Sequence, residues 1–311
     1  MNTAIVTGAN GFVGKALVKE LLSRGVYVIA ITRDGRLTGV KESDNIEILS
    51  CEMAKISKIP DILKNRGIDV FYHLAWEGSA GPGRFDTDLQ LHNVKWTIEA
   101  LKTAKLLECR RFVCAGSIME DEALAAATAS GNKPGPGYIY GCGKLTAHIM
   151  CKSMAAQTGI DLIWAKITNA YGEGEKSPRF INTTIQRIIN NEILRFTTAH
   201  QNYDFVYITD AARALYLIGE KGKPFYDYII GSSHARPLRE FITEMANALG
   251  YDKELLFGEI PFTGIDLPLE VFDCTMTEKD TGFKAKVPFC DGVRKTRDWL
   301  IREGMSNDTK V

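Results

Sequence analysis

The chain has no excess of either charge: 38 Lys and Arg stand against 38 Asp and Glu. A neutral protein holds neither a DNA duplex nor an anionic bilayer by long-range attraction, so nucleic acid and membrane are set aside as partners and a small molecule is expected. Long apolar runs are missing too. None approaches the ~20 residues of a membrane-spanning helix, and the opening MNTAIVTGANG lacks the charged start, apolar middle and cleavage site of a signal peptide. The seven cysteines, at 51, 109, 114, 142, 151, 274 and 290, are odd in number and never form a C-x-x-C pair. That usage predicts free thiols in a reducing, cytoplasmic compartment, without disulfides or zinc. The five histidines, at 73, 92, 148, 200 and 234, show no H-x-x-H or H-x-x-x-H spacing, so no metal site is expected and each reads as structural. What is present is an average globular composition, 45% hydrophobic and 24% charged over 311 residues. That suffices for one large α/β domain, or a nucleotide-binding domain with a smaller partner.

Short β-branched runs at 4–7, 26–32, 46–49, 70–75 and 111–115 alternate with helical stretches, the pattern of a parallel sheet. Between the first two runs, Val13, Leu17 and Leu21 recur every four residues and Gly25 follows the last turn, which marks a βαβ unit. A strand over 161–170 carries the pattern to about residue 168. The turn-rich segment 171–178 breaks it before a helix over 179–190. Runs at 204–208 and 226–230 are expected to return to the sheet. The expected fold is α/β, a Rossmann-type doubly wound parallel sheet over residues 1–168 and about 204–231. A smaller C-terminal α/β substrate lobe takes about 169–203 and 232–311. The Ala-rich, then Gly/Pro-rich stretch 123–137 reads as a surface loop, and Glu120, Asp121 and Glu122 before it as a solvated acidic turn.

Thr7-Gly-Ala-Asn-Gly-Phe-Val-Gly14 lies where the first strand turns into a helix. Glycines there allow a tight turn, close approach of backbone to a pyrophosphate, and close packing of helix on sheet, with the helix amides facing the anion. Gly8, Asn10, Gly11, Phe12, Val13 and Gly14 are therefore candidate dinucleotide contacts, although three glycines alone also suit an ordinary tight loop. An NAD enzyme usually places a carboxylate roughly 20 residues past the glycines. Here Thr32 and Arg33 stand at that point, with Arg36 close by. A guanidinium attracts the 2′-phosphate that a carboxylate repels, so NADP is expected rather than NAD, the alternative being that Arg33 is a solvated loop charge. Glu52 and Met53 after the third strand are placed for the adenine, and Leu74, Ala75 and Trp76 end the fourth strand beneath the cofactor.

Tyr140 and Lys144 are four apart in a helical stretch over 140–158 and share one face. An ammonium beside a phenol favours the phenolate. Ser117 ends the fifth strand, at the sheet edge where open α/β folds bind their ligands. Its hydroxyl can hold a carbonyl or alkoxide while Tyr140 exchanges a proton and a nicotinamide a hydride. Taken alone, Y-x-x-x-K reads equally as a surface pair.

Together, TGxxGxxG at the first turn, Ser117 after the fifth strand and Y-x-x-x-K further on resemble the short-chain dehydrogenase/reductase superfamily. The best fit is its extended branch, the NAD-dependent epimerase/dehydratase family of nucleotide-sugar enzymes. His73-Leu-Ala-Trp76 is similar to that family's H-L-A-A, and Asn93-Val-Lys-Trp-Thr97 to its N-x-x-G-T. Ile167-Thr-Asn-Ala-Tyr-Gly172 is similar to its R-x-x-N-x-Y-G, and residues 203–210 to its R-D-F-V-Y-V-x-D. The resemblance implies Ser117, Tyr140 and Lys144 as catalytic residues, with Tyr140, Lys144, Asn93 and Ile167 also beside the cofactor. It places Trp76, Ser117, Tyr140, Asn169 and Tyr203 at a nucleotide-sugar substrate. It also implies a homodimer through helices over 89–106 and 140–156, where Leu91, Val94, Ile98 and Leu101 make an apolar spacing that can equally face the sheet.

Three departures bear on the reaction. Dehydratases of the family follow the catalytic Ser or Thr with Asp-Glu, where this chain has Ile118 and Met119, so elimination of water is disfavoured. Tyr203 replaces an arginine that grips the substrate diphosphate, and Lys166 the one before Asn169, which leaves the nucleotide open. Gly143 stands where the family often has Ser. The leading expectation is reduction of a 4-keto nucleoside-diphosphate sugar by NADPH. A nucleotide-sugar 4-epimerase with retained NAD is the alternative. A non-catalytic NADP-binding sensor is a third, which loss of Ser, Tyr or Lys would favour.

Overall fold

The computed structural model describes residues 1–64 and 66–308. Its first half alternates strands β1 (Thr3–Thr7), β2 (Tyr27–Thr32), β3 (Ile46–Ser50), β4 (Val70–His73), β5 (Arg111–Ser117) and β6 (Asp161–Ile167) with helices. These are α1 (Phe12–Ser23), α2 (Ile59–Ile62), α3 (Thr87–Leu106), α4 (Met119–Thr128) and α5 (Tyr138–Thr158). Four two-residue strands follow, β7 (Ala170–Tyr171), β8 (Arg195–Phe196), β9 (Asn202–Tyr203) and β10 (Val206–Tyr207), with α6 (Phe180–Ile189) among them. Helix α7 (Ile208–Lys221) then leads to β11 (Asp227–Ile230). The main sheet is parallel, in the order β11-β6-β5-β4-β1-β2-β3, so the strand order reverses between β1 and β4. At such a reversal the neighbouring connections leave on opposite faces, and a crevice opens at the carboxyl ends of the strands.

Alternation along the strands supplies a core on each face. Ala4, Val6, Val28 and Ala30 pack under α1 and α7 with Leu17, Leu21, Leu215 and Ile218. Ile5, Ile29, Ile31, Phe71 and Phe112 face the other way, onto Ile59, Val94, Leu101, Ala147 and Cys151. Val94 and Leu101 of the apolar spacing on α3 thus turn into the core, whereas Leu91 is exposed.

A third cluster builds the smaller lobe from α6, α8 (Leu238–Leu249) and α10 (Phe289–Asp308). Its centre is aromatic: Phe205 stacks on Tyr203 and Phe180 and meets Phe241 edge-on at 5.0 Å. The lobe also holds β12 (Arg236–Pro237), paired with β9, and β13 (Leu256–Phe257), paired with β8, whereas α9 (Thr275–Thr281), before α10, returns to the main sheet, where Thr277 donates to the Ile229 carbonyl of β11 at 2.7 Å.

Two expectations are corrected. The run at 204–208 does not return to the main sheet; only β10 forms there, and it pairs with β7, because Phe205 and Tyr207 are buried in the aromatic lobe. Only 226–230 rejoins the sheet, as β11 beside β6. The stretch read as a loop from residue 123 begins inside α4, since its alanines are the strongest helix formers.

Candidate active site

The path from β1 into α1 sets one wall of the crevice. Gly8 adopts φ +67°, and a Cβ there would lie 2.7 Å from the Ala75 backbone nitrogen. A Cβ at Gly14 would lie 2.1 Å from the Gly8 carbonyl oxygen, so only glycine lets α1 come this close to the turn. Gly11 caps α1 without a side-chain bond, which leaves first-turn amides available to an anion.

A cavity of about 950 Å³ runs from this turn across the strand ends. Gly8, Asn10, Gly11, Phe12, Val13 and Gly14 line one end, together with Thr32, Arg33, Glu52 and Met53. Leu74, Ala75, Trp76 and Ile167 line the middle, and Ser117, Tyr140 and Lys144 the far end. The residues singled out at four separate points of the sequence are thus brought to one cavity. Arg36, Asn93, Asn169 and Tyr203 are not in its wall. The backbone N–H of Arg36 donates to Asp34 Oδ1 at 3.2 Å. Asn93 is buried and holds both backbone groups of Glu77, accepting its N–H at 2.9 Å and donating to its carbonyl at 2.8 Å. Asn169 donates to the Asp204 carbonyl at 3.0 Å. Tyr203 lies on Phe205, and burial pushes its phenol up to about 12.

At the far end, Lys144 is buried, donates to the Ala115 carbonyl at 2.8 Å and rests 3.8 Å from the Trp76 ring centroid. Trp76 is fixed in turn, its indole N–H donating to Gln90 at 2.7 Å, and it meets Tyr140 edge-on at 6.0 Å. Ser117 Oγ accepts the Met119 amide at 3.2 Å, so its own proton is available to an acceptor in the cleft. Below them His73 bridges Thr7 at 2.9 Å and Thr97 at 3.2 Å. Burial and the Lys144 ammonium hold it down to about 3, so it sits there as a neutral ring.

Sequence reasoning missed several groups. Asp34 lines the cavity beside Arg33, whose guanidinium is largely exposed and 3.8 Å from Glu77. Arg84 stacks its guanidinium 4.8 Å from the Tyr140 ring centroid. Its signal in the sequence is the glycine-rich segment 78–83 that follows the fourth strand. Arg179 enters from the lobe, paired with Glu175 at 3.2 Å. The acidic turn is corrected outright: Glu120 is 1% exposed, Asp121 pairs with Lys166 at 2.9 Å, and burial raises the Glu122 carboxyl to about 7. Ile118 packs away from the cleft on Leu267 and Phe272. Among the described residues no cluster of three His, Cys, Asp or Glu side chains suits a metal ion, and no helix is long and apolar enough to cross a membrane.

Residues 4–231 match the model of the NAD dependent epimerase/dehydratase family. A probable dTDP-glucose 4,6-dehydratase of Sinorhizobium fredii is 24% identical, covering 96% of this chain and 93% of that one. UDP-glucose 4-epimerase of Mycolicibacterium smegmatis is also 24% identical, over 95% of this chain and 97% of its own. Among solved structures, UDP-glucuronic acid 4-epimerase from Bacillus cereus in complex with NAD superposes with a TM-score of 0.78 at 18% identity. That match covers 97% of this chain and 99% of the other. Bordetella bronchiseptica WbmF in complex with NAD+ gives 0.75 at 20% identity, over 99% and 95%.

Proposed function

The chain belongs to the NAD dependent epimerase/dehydratase family, and from that premise we propose that it reduces the 4-keto group of a nucleoside-diphosphate sugar with NADPH. The observation that carries the reading is the convergence of Ser117, Tyr140 and Lys144 on one cavity with no carboxyl group in the two positions after Ser117. Eliminating water needs an acid for the leaving hydroxyl and a base for the neighbouring carbon. Ile118 is apolar and turned away, and Glu120 is already bonded to Ser117, Trp164 and His148. A hydride step without elimination remains.

The cavity fits a dinucleotide by a turn walled with backbone, which a Cβ at Gly8 or Gly14 would push apart, and by the uncapped first turn of α1. The nicotinamide, when bound, supplies the hydride. Ser117 would hydrogen-bond the substrate oxygen through its O–H and keep its proton, and Tyr140 would deliver the single proton that completes the alcohol. Lys144, held by Ala115 and Trp76, would keep a positive charge beside that phenol and reach the nicotinamide ribose. Arg33 supports the NADP preference by its place in the cavity wall. The lobe of residues 169–203 and 232–308, the last three residues of the expected range lying outside the described residues, would take the nucleotide and sugar, with Asn169 and Tyr203 on its side of the cleft. Exposed Leu91, Ile149 and Met150 on α3 and α5 support a homodimer through those helices.

The second reading, a 4-epimerase that retains NAD, is favoured by the neighbours solved with NAD. One assay separates the two: purified protein, NADPH and a 4-keto-6-deoxy nucleotide-sugar, following absorbance of the reduced nicotinamide. Stoichiometric consumption is expected. Interconversion of two 4-hydroxy sugars with no net change in reduced cofactor would replace this reading with the epimerase.

A further inference from the structure

Ser117 ends β5, whereas Tyr140 and Lys144 lie on α5, so their mutual placement depends on what ties strand to helix. The tie is buried and charged. Glu120, in the first turn of α4, accepts the Ser117 amide through Oε1 at 2.8 Å. Its two oxygens also accept the Trp164 indole N–H, at 2.9 and 3.1 Å. Oε2 lies 3.0 Å from His148 Nδ1. His148 Nε2 lies 3.1 Å from Asp227 Oδ1, and both Asp227 oxygens accept from Lys152 at 3.2 Å. The imidazole stacks flat on Trp164 at 4.4 Å. Gly116 leaves room for this cluster, since a Cβ there would lie 2.3 Å from Trp164 Nε1 and 2.7 Å from Glu120 Oε1. Tyr140, Lys144 and His148 recur every four residues on α5, so one helix face carries all three.

A neutral imidazole has one N–H and one lone pair, so between two carboxylates one contact would set lone pair against lone pair. Only the imidazolium gives a donor to each. The charges then balance, Glu120 and Asp227 against His148 and Lys152. Burial opposes the charge on His148, but the hydrogen bonds to Asp227 and Glu120 outweigh it and raise its pKa above the ordinary histidine value. Other titratable groups nearby are Lys144 and Cys151 on α5, Cys114 on β5, and the Asp121–Lys166 pair between α4 and β6.

We propose that Glu120 and the cationic His148 are positioning residues, which hold the Ser117 backbone, and through it the hydroxyl, at a fixed distance from the Tyr140 and Lys144 face of α5. The inference rests on the reading of Ser117 as a catalytic group. Neither side chain meets the substrate: one fixes the strand end, the other the helix, and the charge-assisted bond between them joins the two. Loss of the His148 proton leaves a buried carboxylate without its cation, which loosens the strand end.

The test uses the full-length protein and the NADPH-consumption assay. Glu120→Ala is expected to lower kcat roughly 10- to 100-fold with KM and cofactor affinity near wild type. Glu120→Gln, which keeps an acceptor for the Ser117 amide, is expected to recover much of that loss. On the wild-type protein, ¹⁵N NMR of the imidazole is expected to show both ring nitrogens of His148 protonated at neutral pH, a measurement that does not depend on any variant folding. Ser117→Ala separates the two possible failures. If it leaves kcat unchanged, the reading of Ser117 fails. If it lowers kcat while Glu120→Ala, binding cofactor normally, keeps wild-type kcat, the positioning role is overturned. A His148 ring carrying a single proton at neutral pH overturns it too.

Discussion

At its β1–α1 end the cleft is walled by backbone, and at its β5–α5 end by side chains that meet in pairs. Gly8 and Gly14 matter for what they leave out, since a Cβ on either collides with main chain. Lys144, Trp76 and Tyr140 matter for what they bring: an ammonium over an indole, and a phenol against both that indole and a guanidinium. Binding by amides tolerates changes of neighbouring side chains but not of the main-chain path, whereas proton transfer depends on individual functional groups. Mutations at the two ends should therefore separate affinity from turnover.

The largest separation is expected at the side-chain end. Tyr140→Phe should lower kcat by about 10²- to 10⁴-fold while cofactor affinity, read by calorimetry, stays near wild type. A Phe variant that still turns over would end the division of labour proposed for the cleft. Lys144→Ala should damage both, because in the proposed arrangement this ammonium also reaches the nicotinamide ribose.

At the backbone end the opposite pattern is expected. Gly14→Ala forces a methyl against the Gly8 carbonyl, and overpacking of this kind costs about 1–3 kcal/mol. Cofactor Kd should rise by roughly 5- to 150-fold by the same energy, and kcat at saturating cofactor should change far less. A fall in kcat with unchanged Kd would erase the contrast.

Arg33→Asp sharpens the comparison at the rim, where recognition passes from backbone to charge. The ratio of NADP to NAD affinity should fall by about 10-fold or more, the scale of one charge-assisted hydrogen bond. Calorimetry that finds NAD bound more tightly by the wild type would overturn the proposed NADP preference.

The smallest effect concerns Glu122, which burial raises to about 7 from an ordinary value of 4.5. The folded state then holds this proton more tightly than the unfolded one, so stability falls as pH rises between those values and the penalty is complete above them. Glu122→Gln should melt a degree or two higher than wild type at about pH 8, on the scale of a small stability change in a chain this size, and match it near pH 4. Equal melting curves at both pH values would show that this carboxyl carries no such penalty.

The sheet and the glycine turn were legible because their signals are local: strand alternation, a helical spacing at Val13, Leu17 and Leu21, and glycines at a strand-to-helix junction. Tyr140 and Lys144 were legible for the same reason, being one turn apart on α5. Glu120 was not. Its sequence context is two more acids, and only the fold reveals that it lies against Trp164, more than forty positions away, while Asp121 pairs with Lys166. Arg84 and Arg179 were missed on similar grounds, one lying in a single 3-10 turn and the other at a helix N-cap, neither of which carries a periodic mark. The run around Phe205 has every local feature of a strand, yet the lobe claims its aromatic side chains and the main sheet never receives it.

The β11 edge of the sheet has a bearing on how the chain comes to be folded at all. This strand lies beside β6 in space, but α6, α7 and four short strands separate the two along the chain. During synthesis, β6 leaves the ribosome with an open flank, a row of unpaired amides and carbonyls that invites pairing with any extended segment. The flank closes only after the first part of the lobe and α7 have followed. Contacts of such high sequence separation slow folding and lengthen the exposure of that edge. A nascent chain halted just before Asp227 would thus still present the bare flank of β6, and one released a few residues after Ile230 would have it covered.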